Sequence, residues 1–199
     1  METAKYIVKF LILLISSPQE LWNYLTTDGV EESKPSYVQE HYFLPLLGFM
    51  SLFIFLCEGF HGAKGDTIFD LQYGMREMVP YLVAFLVGPY IAQMLLNLSL
   101  RHIFQMPAPS ASRVHLFVFY STSFLMALEM LLAFIPSIRF FWFIVLYLFY
   151  ITWTGGFSII RLPNNRQWVF GFVSALEIYF SSHLIISIIQ RMQGVAQIA

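Results

Sequence analysis

Val114 to Ile135 reads VHLFVFYSTSFLMALEMLLAFI, 22 consecutive residues with one acid, Glu129, and no lysine or arginine. A helix needs about 20 mostly apolar residues to cross the hydrocarbon core of a bilayer. This stretch therefore reads as a membrane span, and it sets the scale for the rest of the chain. Downstream, a tight Pro136-Ser137 turn leads into a second apolar run, 138–155, closed by Gly155-Gly156. So short a link makes the two runs an antiparallel helical hairpin. After the polar loop Arg161-Leu-Pro-Asn-Asn-Arg166, the run 168–189 is apolar again.

Upstream, MPAPSAS (106–112) separates the opening stretch from the run 79–104, which contains Gly88-Pro89. Neighbouring helices can satisfy the carbonyl that a proline frees, so a kink is expected there rather than a break. Ile68, Leu71, Met75 and Met78 recur at helical spacing ahead of it, with Asp70, Arg76 and Glu77 turned elsewhere. That pattern is an amphipathic lead-in. Beyond the turn GFHGAKGD (59–66) lies the first apolar run, YFLPLLGFMSLFIFLCEGF (42–60). The expected architecture is all-α: a five-helix transmembrane domain over 42–199, with spans at about 42–60, 79–104, 114–135, 138–155 and 168–189, preceded by an interfacial segment, 1–41.

Composition agrees with a lipid-solvated chain. Of 199 residues, 58% are hydrophobic and 12% charged, against about 25% charged in soluble domains. A water-exposed surface made of the excess would aggregate. The formal net charge of −1 offers no footprint for nucleic acid. Cys57 is the only cysteine, so no intrachain disulfide forms, and it reads as a small buried hydrophobe. Trp142, Trp153 and Trp168 fall near span ends, where amphipathic rings anchor.

The N-terminal run Phe10–Ile15 is too short to span and lacks an Ala-x-Ala-like cleavage pattern, so an uncleaved helix lying in the membrane surface is expected. Ser17-Pro18-Gln19-Glu20 looks like a capped helix start, and Leu21, Trp22 and Leu25 share one face. Residues 17–27 are expected to lie at headgroup level. A polar surface loop, 26–40, should follow.

With five spans and the N-terminus inside, Lys5, Lys9, Lys34, Arg101, Arg113, Arg161 and Arg166 are cytoplasmic, and Lys64, Arg76, Arg139 and Arg191 are outside. Seven against four favours a cytoplasmic N-terminus and an external C-terminus.

The order of short motifs resembles the Yip1 domain family in its bacterial branch. They are Ser17-Pro18-Gln19-Glu20-Leu21-Trp22 before the first span, Tyr42-Phe43-Leu44-Pro45 at its start, and Tyr120-Ser121 in the third. Leu146-Tyr147-Leu148-Phe149-Tyr150 with Gly155 follows in the fourth, then Arg161 to Arg166 before the last. Where family members often carry proline after Tyr-Ser, this chain has Thr122-Ser123-Phe124. The resemblance implies a multi-pass protein of the bacterial inner (plasma) membrane with five spans and no defined activity.

Chemistry is expected where lipid makes polarity expensive. An ionisable group inside the bilayer costs about 2.5–3.5 kcal/mol on insertion scales, so each needs a reason. Glu129 and Glu177 lie deep in the third and fifth spans, and Gln93 and Asn97 form an i, i+4 stripe in the second. With Tyr120 and His183 they make a candidate buried polar site. His183 is six residues from Glu177, on a different helical face, so at least one acid should find its partner on another span.

His61 with Glu58 and Asp66 fits no established metal-ligand spacing, and neither a metal nor another cofactor is expected. Gly-x-Ser-x-Gly, His-Glu-x-x-His and Walker-type loops are absent from the sequence, so no enzyme is expected. The leading expectation is a non-enzymatic protein that organises lipids, membrane-protein partners or its own copies. The rival is a small transporter or channel for a proton, ion or small solute using Glu129 and Glu177.

Overall fold

The computed structural model describes residues 2–27, 31–62, 68–106, 109–135 and 143–195. Among them every regular element is helical. Two short helices come first, α1 (Glu2–Ser16) and α2 (Pro18–Leu25). Next, α3 (Pro35–Val38) runs through a π turn into α4 (Leu44–His61). Then come α5 (Leu71–His102), α6 (Ala111–Phe134), α7 (Tyr147–Ser158) and α8 (Gln167–Val195). Four helices among the described residues are long and apolar enough to cross a membrane: Pro35–His61, Leu71–His102, Ala111–Phe134 and Gln167–Gly194. A shorter apolar helix, Phe143–Ser158, stands where the fourth span was expected, while the Pro136-Ser137 turn and Trp142 lie outside the described residues.

α5 is the most widely shared wall, packing along both α4 and α8. It starts where the Asp70 side chain accepts the Tyr73 N–H at 2.9 Å, an N-cap that offsets one orphan helix donor. Two glycines permit the close approach. A Cβ on Gly74 would sit 2.7 Å from the Phe55 carbonyl oxygen, and one on Gly88 2.6 Å from Ser182 Oγ. Pro80 and Pro89 are both inside the unbroken helix and both buried. α6 is the most enclosed of the four long helices. α8 is the most open, and Phe172, Leu176, Phe180, Leu184 and Ile188 recur along it every four residues, all exposed. A helix with that outward face is solvated by lipid, not water.

The bundle has two ends. At the His61 end, α4 and α6 finish and α5 begins; at the Ser110 end, α5 finishes and α6 and α8 begin. α1 and α2 pack toward the Ser110 end, α1 on α6 and α2 on α7.

Several expectations change at this end. Trp22 does not sit among headgroups: it is fully buried, and its indole N–H donates to the Ile151 carbonyl at 3.1 Å. The apolar face of α2 was read correctly, but protein covers it. Ser17 makes no side-chain cap, although Pro18 does occupy the first helical turn. Phe10 and Leu14 of α1 are likewise buried in the bundle, leaving Val8, Ile12 and Ile15 outside.

The polar loop expected over 26–40 is helical from Pro35, because Val38, Tyr42 and Phe43 on that side find buried positions. Gly155 and Gly156 do not end the fourth run. They are buried inside α7, where added Cβ atoms would meet Phe117 and Phe170, and the helix continues to Ser158. Cys57 is half-buried and packs on the core.

Candidate functional site

The His61 end holds a cavity of about 410 Å³ lined by Ile54, Glu58, Tyr73, Glu77, Tyr81, Glu129, Leu132, Ala133 and Gln190. Four helices build it, α4, α5, α6 and α8. Three carboxylates face it: Glu58 from the last turn of α4, Glu77 from the second turn of α5 and Glu129 from α6. Their side chains retain 12, 19 and 11% exposure, so all three are largely withdrawn from bulk solvent. Each has a basic neighbour. Arg76 is 3.2 Å from Glu77, His61 4.0 Å from Glu58, and His183 3.1 Å from Glu129. Two of these partners are imidazoles.

The Glu129–His183 pair can be counted proton by proton. His183 Nδ1 lies 3.1 Å from the Tyr179 carbonyl, which only accepts, so Nδ1 carries a hydrogen and donates it. Nε2 faces Glu129 Oε1 at 3.1 Å. A neutral imidazole of that tautomer has a bare Nε2, so Glu129 must then be the protonated donor. If Glu129 is ionised, His183 must be doubly protonated. Either way one proton sits between the two groups, and the pair is neutral overall. The Tyr179 ring stacks on the imidazole with centroids 3.9 Å apart and holds its plane. Glu129 lines the cavity while His183 stands behind it on α8, so the carboxyl group bridges the cavity and its proton partner.

The six residues proposed from sequence separate into four places. Glu129 and His183 meet, as described. Glu177 instead accepts a hydrogen bond from the Ser99 hydroxyl of α5, and its second oxygen is buried with no partner among the described residues. Tyr120 sits in the dry core toward the Ser110 end, bonded to the Tyr6 hydroxyl at 3.1 Å and packed on Tyr42 and Phe10. Gln93 and Asn97 line a separate groove on the outside of α5. The single polar core expected from sequence is thus not formed.

The sequence does not single out Tyr73, Tyr81, Gln190 or Ser99, and it shows Glu58 only beside His61 and Glu77 only on the polar face of the lead-in, not in one site. A signal for the two acids was there. Alternating spans bring the ends of the first and third and the start of the second to one membrane face, where Glu58, Glu129 and Glu77 fall. Among the described residues no three His, Cys, Asp or Glu side chains are placed to hold a metal ion, and Asp66 lies outside them. No protein-family model, curated protein or solved structure matches the chain.

Proposed function

We propose that this chain is a non-enzymatic, five-span membrane protein of Yip1-domain type that exchanges a proton for a small cation at Glu129. The observation that carries this reading is the Glu129–His183 pair, which holds one proton at the wall of a cavity lined by two further acids. A cavity of this size admits a small solute. Tyr73 and Tyr81 add aromatic rings to its lining, and the Tyr73 ring already carries the Arg76 guanidinium at 5.5 Å. The exchange is simple in its balance. The proton held between Glu129 and His183 leaves to the aqueous phase through the cavity, the Glu129 carboxylate that remains binds the cation beside a neutral His183, and loss of the cation lets a proton from solution return.

Five crossings are supported by the ends of the helices. α6 finishes at the His61 end, whereas α8 begins at the Ser110 end, so the chain between them has to travel back along the bundle. The apolar helix Phe143–Ser158 lies on that route, and at 1.5 Å per residue it covers roughly 24 Å of a hydrocarbon core about 30 Å thick. Reporter fusions at Ala111 and Asn164 should lie on the same, cytoplasmic side of the membrane, with the C-terminus outside. Finding Ala111 and Asn164 on opposite sides rules out the fifth crossing.

Flux in proteoliposomes tests the activity. Vesicles of purified protein, loaded with a pH-sensitive dye and holding a pH gradient, are challenged with sodium, potassium and choline in turn. The wild type should dissipate the gradient with at least one of them. Glu129→Gln, which keeps the shape of the side chain and loses its titration, should elute and melt like the wild type yet leave the gradient intact. Equal dissipation by Glu129→Gln, or none by the wild type with any of the three, overturns the proposal.

A further inference from the structure

On the outer side of α5, at the Ser110 end, a groove of about 610 Å³ runs between that helix and the start of α6. Arg101, Asn97 and Gln93 follow one another down it, each one helical turn or about 6 Å below the last. Tyr90, Met94 and Leu98 form its apolar side, and all three are exposed. Neither amide and not the guanidinium has a hydrogen-bond or ion-pair partner among the described residues; Arg101 is exposed at the rim, and Gln93 and Asn97 are half-buried in the groove wall.

In water such side chains would need no explanation. Here they stand on a membrane-crossing helix, where an amide without a partner carries a desolvation cost. Pairing within the bundle is not how this site meets that cost, so its occupant supplies the acceptors. The order of groups is an amphiphile's. A cation stands at the rim, two amide donors lie one and two turns below, and an apolar wall continues deeper. The interfacial layer on each side of a bilayer is about 5–7 Å thick, close to the one-turn step from Arg101 to Asn97.

We propose that this groove binds an anionic glycerophospholipid. Its phosphate pairs with Arg101, its ester carbonyls accept from the side-chain amides of Asn97 and Gln93, and one acyl chain lies along Leu98, Met94 and Tyr90. Charge selects the headgroup. The groove lining carries one cation and no acid, so a net negative lipid is preferred over a zwitterionic one. The site stands apart from the acid-lined cavity at the other end of the bundle, and neither proposal depends on the other.

Native mass spectrometry of the detergent-purified full chain tests it, with phosphatidylglycerol and phosphatidylcholine of identical acyl chains as probes. The wild type should retain phosphatidylglycerol adducts in preference to phosphatidylcholine. Arg101→Gln should lower phosphatidylglycerol occupancy roughly fivefold, the effect of one basic residue at a membrane surface, and abolish the preference. Gln93→Leu/Asn97→Leu should weaken both lipids, because both offer ester carbonyls. Unchanged melting of the variants keeps the comparison fair. Equal adducts for the two lipids in the wild type, or phosphatidylglycerol binding indifferent to Arg101→Gln, overturns the proposal. So does a protein dimer that forms without added lipid and disappears in Gln93→Leu/Asn97→Leu, since the groove would then be an interface between two copies.

Discussion

Buried polar groups occupy both ends of this bundle, and they are handled in opposite ways. Toward the Ser110 end, hydroxyls and an indole are enclosed by aromatic rings and paired with one another. Tyr42 bonds Ser123 at 2.8 Å, Tyr6 bonds Tyr120 at 3.1 Å, and Trp22 bonds the Ile151 carbonyl. Trp22, Tyr42 and Tyr120 in this network are fully buried. Toward the His61 end, the polar groups are ionisable, come from four helices and surround a space. Hydroxyls and an indole paired inside a packed core fix its packing. The acids at the other end line a space that a solute can enter. Location inside the membrane therefore does not identify a functional group; the state of its hydrogen bonds and what it faces do.

The sharpest way to break this contrast is to remove the anchor of the dry end. Trp22→Ala should cost about 3–5 kcal/mol, the usual loss for a large aromatic in a packed core, read as reduced resistance to denaturant in detergent micelles. Glu129→Gln in the same assay should cost under about 1 kcal/mol, because its shape and a hydrogen bond to His183 survive. A Trp22→Ala protein as stable as the wild type would mean that α2 is only resting on the membrane surface.

An intermediate effect is expected from the pair itself. His183→Ala strips Glu129 of its proton partner, and the outcome depends on whether the cavity is wet. Breaking a dry buried pair costs about 3–5 kcal/mol. With water in the cavity to take over, the loss should stay near 1–2 kcal/mol, and the double variant Glu129→Leu/His183→Ala should be no worse than the worse single one. Strict additivity of the two single losses would show that the contact carries no energy.

The helices at the heart of the fold were legible, since hydropathy depends on little but composition and length. Val114–Ile135 fell almost on α6, and the run 79–104 lies within α5 except for its last two residues. Ends were harder to see. α5 starts at Leu71 because Asp70 caps it, and α4 is extended back through Pro35 because Val38 and Tyr42 are buried by neighbours. Both are decided by local chemistry or tertiary contacts that a hydropathy window averages away.

For the site, sequence marked Glu129, Glu177 and His183 as costly in lipid, and each has a polar partner in the bundle. It could not choose among faces. A helix places a new residue every 100°, so Gln93 and Asn97 could point inward or outward with equal sequence support; in the folded chain they line an outer groove. Trp22 shows the same limit. Its helix face is apolar by sequence, but only the fold determines that α7, and not lipid, covers it.

The smallest expected effect tests whether the dry network is only packing. Tyr120→Phe removes one hydroxyl from the pair with Tyr6 and leaves the ring stacked among Phe10 and Tyr42. The loss should be about 0.5–1.5 kcal/mol, and Tyr6→Phe should lose as much, because both delete the same hydrogen bond. Combined, they should cost no more than either alone, since the second deletion removes a hydroxyl whose partner has already gone. Alkali gives an independent reading of the same contact. Burial pushes the Tyr6 hydroxyl above its ordinary value of 10.0, so the folded state holds it neutral. That contribution is complete below about pH 10 and declines as the pH rises further, because the unfolded chain then ionises first. Tyr6→Phe should flatten this alkaline decline while leaving cation-driven proton flux at the wild-type rate. Loss of flux in Tyr6→Phe or Tyr120→Phe, without loss of fold, would place the tyrosines in the same working unit as Glu129 and erase the division between the two ends.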